Sequence, residues 1–137
     1  MQPRMTSWTQ LKMNRFAPRD FVLVFLGGAL GALLRYVVGG SLELTLGASL
    51  AGSLSLLIVN VVGAFFLGYT TTNKRFASED LKSFWAAGFC GGFTTMSGIA
   101  LFLYNYPPLL AMPAAAVMFG FGFMGFAAGA TIGGRKK

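Results

Sequence analysis

Four runs of mostly apolar residues divide the chain, at about 21–40, 50–70, 83–104 and 109–132. Each has the roughly 20 residues that a helix needs to cross a bilayer. Short punctuated stretches separate them: GGSLELTLG after the first, TTTNKRFASEDLKS after the second and NYPP after the third, with GGRKK closing the fourth. The pattern predicts an all-α membrane protein. It has a four-helix transmembrane domain over residues 21–134, a basic tail over 1–20 and a short basic tail over 135–137.

Composition names the solvent. Hydrophobic residues make up 55% of the chain, charged residues 11%, and the mean hydropathy is +0.64. Soluble domains carry roughly 25% charged residues, so this chain cannot clothe a globule in polar surface and belongs in lipid. The first apolar run is too long for a signal peptide and lacks a clear cleavage site, so it is read as part of the mature protein. Cys90 is the one cysteine, which excludes a disulfide within the chain and fits a small buried residue. There is no histidine and no cluster of catalytic residue types, so the chain is not read as an enzyme.

Charge then gives direction. With four crossings, both termini and the second connection share one side. That side holds Arg4, Lys12, Arg15, Arg19, Lys74, Arg75, Lys82, Arg135, Lys136 and Lys137. The opposite connections hold no lysine or arginine, and the eleventh basic residue, Arg35, lies within the first span. This asymmetry predicts a multi-pass plasma-membrane protein with both termini cytoplasmic. The net charge of +7 is orientation and anionic-lipid contact rather than a nucleic-acid surface.

Small residues recur four apart at Gly27 and Gly31, Gly28 and Ala32, Ala64 and Gly68, and Gly125 and Gly129. They predict close helix packing in a compact bundle or oligomer. Three features put polarity at membrane depth. Asn60, mid-way along the second span, calls for an interhelical hydrogen bond or a pore-lining place. Arg35, near the end of the first span, is read as snorkelling to the interface, with a site role as the other reading. In GFCGGFTTMSGIALF, residues 88–102, Gly91, Gly92, Thr94 and Thr95 together weaken a helix at its middle. The result is either a packing notch or a break whose freed carbonyls suit a cation and whose N–H groups suit an anion.

That stretch resembles the third-helix signature of the Fluc (CrcB) fluoride channels, G-x-x-G-G-[FL]-[ST]-T-F-S-T-F. The resemblance continues in GGALGALLRY of the first span and IVNVVGAFFLGY of the second, and covers residues 21 to about 106. It implies a four-helix subunit with a broken third helix, paired with another subunit in an antiparallel, dual-topology-type dimer. Two fluoride pores would run along the interface. A central Na⁺ would be held by backbone carbonyls, which carry over to Gly91 and Thr94. The pore-lining candidates are Asn60, Thr95, Met96, Ser97 and Ile99, and Arg35 matches the family's helix-one arginine.

Two departures stand out. The family's paired phenylalanines should fall at 96 and 99, where this chain has Met96 and Ile99. Phe119, Phe123 and Phe126 of the fourth span are the other available rings, and ordinary packing is the plainer reading of them. Homodimers of the family insert both ways, which needs balanced loops, and ten basic residues against none is not balanced. Together these point to one half of an antiparallel heterodimer, with a homodimer as the alternative. The function expected is passive export of cytoplasmic fluoride, by the chain alone or in a pair; the alternative is a non-conducting scaffold subunit. A small multidrug transporter would need a membrane-embedded acid, and Asp20 lies at a span edge and Glu43 in a loop.

Overall fold

A computed structural model describes residues 18–135, and those residues are almost entirely helical. Four helical spans are long and apolar enough to cross a membrane: Pro18–Leu46, Leu50–Thr72, Glu79–Asn105 and Pro108–Gly134. Their exposed surface is rich in large apolar side chains such as Phe25, Tyr36, Leu44, Tyr104 and Leu109, which is the face that lipid or another subunit requires. Of the basic side read from the sequence, Arg4, Lys12, Arg15, Lys136 and Lys137 lie outside the described residues.

The first helix is longer than its apolar run. Gly39, Gly40, Ser41 and Glu43 lower the local hydropathy, but a helix need not stop where its side chains turn polar, and this one continues to Leu46. Glu43 therefore lies on the helix rather than in a loop. Gly47 makes the turn with φ 79°, and the second helix starts at Ala48. At the opposite end the start is likewise earlier than expected, because Pro18, Arg19 and Asp20 already belong to the first helix.

The connection between the second and third spans is built by short caps. The Asn73 side chain accepts from the Arg75 N–H, and the Ser78 hydroxyl accepts from the Leu81 N–H, with Glu79 and Asp80 in the first turn that follows. An ion pair from Arg19 to Asp80 links this connection to the start of the first helix. It is well exposed, so it contributes about 0–1 kcal/mol. Pro107 and Pro108 stop the third span and open the fourth, as proline does where no N–H partner is lost.

Glycines set the packing. The first helix lies against the first half of the third span so closely that a Cβ on Gly92 would overlap the Gly28 carbonyl. One on Gly88 would stand 2.7 Å from the Val24 carbonyl oxygen. The second helix meets the fourth in the same way, where a Cβ on Gly129 would overlap the Phe65 carbonyl and one on Gly125 would stand 2.8 Å from that of Val61. The four-residue glycine spacing is thus spent on contacts within the subunit. Towards the turn at Gly47, Leu56, Ile99, Ala115 and Met118 form a small buried core, with Leu57 and Phe102 packed on it. Towards the Asn73 connection, Phe66 presents edge-to-face contacts to Phe76, Trp85 and Phe89, and Phe89 stacks on Phe93.

Gly92→Leu should destabilise the detergent-solubilised protein by about 3 kcal/mol or prevent its folding, because backbone cannot yield as a side chain can. Gly120 has open space around it, so Gly120→Leu should leave the melting temperature within about 2 °C. Melting curves and gel-filtration profiles of the two variants check this.

Candidate functional site

The third span does not run through as one helix. It starts as a short α-helix, Glu79–Leu81, widens into a π-helix over Lys82–Cys90, and closes with Gly91–Phe93. Thr94 (φ −78°, ψ 159°) and Thr95 (φ −144°, ψ 113°) are extended, and helix resumes over Met96–Asn105. β-Branched threonines sit comfortably in extended backbone. The local chemistry explains why there are two of them. Thr94 closes the first half, with its N–H and its hydroxyl both donating to the Cys90 carbonyl, at 2.9 and 2.8 Å. Thr95 opens the second half as its N-cap: its hydroxyl accepts from the Gly98 N–H at 3.0 Å and lies 3.1 Å from the Ser97 hydroxyl.

The main-chain groups freed by the break are taken up from two neighbouring helices. In an unbroken helix the Thr95 N–H would bond the Gly91 carbonyl. Here it donates to Asn60 Oδ1 at 2.8 Å, while Asn60 Nδ2 donates back to the Thr95 carbonyl at 3.3 Å. One amide side chain thus pairs with one residue's main chain at two points, as a neighbouring strand would. Arg35 Nη1 donates to the Thr94 carbonyl at 3.0 Å. Arg35 is eleven residues from the end of its helix at Leu46, roughly 16 Å along the axis. Its guanidinium turns onto the break, and the snorkelling expectation gives way to this contact. The apolar run had made the helix look shorter and Arg35 look closer to water.

The candidate residues do not share one environment. Asn60, Thr94, Thr95 and Arg35 are half-buried around the break, whereas Gly91 and Ser97 are exposed on the subunit's outer face. The two departures from the family's phenylalanine pattern separate: Met96 is 66% exposed, while Ile99 is 4% exposed and belongs to the core with Leu56, Ala115 and Met118. Phe119, Phe123 and Phe126 are exposed on the fourth helix. Sequence reasoning passed over Gly63. A Cβ there would run into the Thr94 methyl group and approach the Phe93 ring, so Gly63 makes the room in which the break sits. The signal was its place three residues after Asn60, on the same helix face.

A monovalent cation asks for neutral oxygens. The Gly91 carbonyl qualifies, since its helical donor is diverted to Asn60 and Gly91 itself is exposed. The Thr94 carbonyl keeps one lone pair beside the Arg35 bond, and the guanidinium charge works against a cation there. The oxygen chemistry fits, with Gly91 the better donor.

The family described as CrcB-like protein, Camphor Resistance (CrcB), matches residues 22–133. The chain belongs to the CrcB family. Among curated relatives, fluoride-specific ion channel FluC 2 of Halalkalibacterium halodurans is 34% identical over 128 residues, covering 87% of this chain and 92% of that protein. Fluoride-specific ion channel FluC of Methanopyrus kandleri is 32% identical over 111 residues, covering 78% and 79%. FluC 2 of Corynebacterium jeikeium is 37% identical over 103 residues, covering 64% of this chain and 59% of that protein.

The contrast between Met96 and Ile99 has a measurable consequence. Met96→Phe, on the exposed face, should change stability by about 0.5 kcal/mol or less. Ile99→Phe must fit a ring among Leu56, Ala115 and Met118 and should cost about 1–3 kcal/mol. Thermal melts of the two purified variants decide it.

Proposed function

We propose that the chain is a subunit of a fluoride-specific ion channel that passively exports cytoplasmic fluoride. The observation that carries this reading is the polar seam along the third span. Gly91 and Ser97 are exposed and Thr95 is half-buried at the break, all within a span of membrane-crossing length. Polar backbone and hydroxyl groups cannot face hydrocarbon, so another subunit or a water-filled path has to cover them. The names of the relatives give the ion. No bond is made or broken in the process; the protein supplies a path whose N–H and O–H donors replace water around the anion. Thr95 and Ser97 offer hydroxyls, and the spare N–H of the Asn60 amide offers a donor beside them. Ile99 shapes this path only from behind, as part of the core that supports the second half of the third span.

The second subunit stands antiparallel to the first. Gly91 and Thr94 carbonyls from both subunits would hold a Na⁺ at the dimer axis, and its positive charge would favour anions nearby. The partner is a different chain of the same family with inverted loop charge. Two features support this. Arg19, Lys74, Arg75, Lys82 and Arg135 all fall at one end of the described bundle, opposite the turn at Gly47. The exposed position of the family's first phenylalanine carries Met96, which is polarizable but has no ring edge.

The test is fluoride efflux from liposomes holding the purified chain, alone and co-expressed with an oppositely biased family member, beside a chloride control. The reading expects little efflux from the chain alone and fluoride-selective efflux from the pair. Fluoride efflux from the chain alone would keep the channel and remove the heterodimer. Folded protein that passes no fluoride in either preparation would leave the scaffold reading.

A further inference from the structure

Asn60 is the natural choice for a residue that touches a permeating anion, and its geometry gives it a second task. Its oxygen and one of its N–H groups are both committed to the main chain of Thr95, at 2.8 and 3.3 Å. We propose that Asn60 is a positioning residue: by holding the Thr95 N–H it keeps that group off the Gly91 carbonyl, and so keeps the carbonyl open to a small monovalent cation. This rests on the sodium reading above and adds how the chain creates the site.

The competition is between two acceptors for one donor. If the third span were continuous, the Thr95 N–H would close onto Gly91 and the carbonyl would be spent inside the helix. A carboxamide is suited to prevent this, because it offers an acceptor for the N–H and a donor for the C=O of the same residue. The fold reserves space for the result. Gly63, one turn along from Asn60, admits the Thr94 side chain, and the Thr95 hydroxyl caps the second half by accepting from its Gly98 N–H. Arg35 holds the neighbouring Thr94 carbonyl from the first helix. It fixes the break from the other side, without a contact to the Thr95 N–H.

Two variants separate positioning from direct anion contact. Asn60→Asp keeps an acceptor for the Thr95 N–H and loses the amide donor. Asn60→Leu keeps the volume and loses both. Three readouts are taken on each in the co-expressed pair: the sodium-dependent rise in melting temperature against potassium at equal ionic strength, the backbone ¹³C shifts of Thr95 in threonine-labelled protein in bilayers, and fluoride efflux from liposomes. Asn60→Leu should move Thr95 to helical shifts and raise the sodium concentration for half-effect at least tenfold. Asn60→Asp should keep extended shifts and a sodium response within threefold of wild type, while fluoride efflux from the pair falls at least tenfold.

Extended Thr95 shifts with an unchanged sodium response in Asn60→Leu would overturn the proposal, as would loss of both in Asn60→Asp. If Asn60→Leu gives no monodisperse protein, the Asp variant alone decides. Wild-type protein without a sodium response would sink the sodium reading, and the Thr95 shifts would still judge the clamp.

Discussion

Hydrocarbon offers no hydrogen bonds, so each backbone group that leaves a helix inside a membrane must find a protein partner or water. The fold is arranged around that constraint at one place. The third span leaves helical geometry at Thr94 and Thr95, and side chains from the first two helices meet the exposed main chain. Arg35 takes the Thr94 carbonyl, and Asn60 takes both main-chain groups of Thr95. The close glycine crossings serve the same end. Gly88 and Gly92 let the third span lie against the first helix backbone to backbone, and Gly63 on the second leaves room for Thr94 at the break. Packing density here is a precondition for polarity.

The division of labour within the bundle follows. The first helix binds the first half of the third span backbone to backbone, the second binds the fourth in the same manner, and the second half of the third span rests on the small core around Ile99. The break is therefore the joint between differently packed halves. The π winding over Lys82–Cys90 brings the chain into that joint with a wider turn, a form found often at functional sites. The polar seam left on the outer face, from Gly91 past Thr95 to Ser97, is the part the subunit does not cover by itself.

Much of this is legible in the sequence alone. Four spans follow from hydropathy because lipid imposes length and apolarity on every crossing. The weakness of GGFTT could be read from glycine and threonine chemistry, and both readings of Asn60 were available from one amide at membrane depth. What the sequence did not disclose was pairing. Nothing in IVNVVG states that the Asn60 amide meets Thr95 rather than another helix, since that depends on how closely three helices pass. Arg35 was misplaced for a related reason: hydropathy sees side chains, while the helix end is set by the backbone turn at Gly47. Met96 and Ile99 read alike as lost phenylalanines, three positions apart, yet one faces outward and the other fills the core. Facing is a property of the packed bundle.

The central claim is that the Thr95 N–H bonds Asn60 and not Gly91. An experimental structure of the protein in lipid nanodiscs, at a resolution that places the Asn60 side chain, measures this directly. The account predicts extended backbone at Thr95 with its nitrogen about 3 Å from Asn60 Oδ1. A continuous third helix with that nitrogen on the Gly91 carbonyl would contradict it.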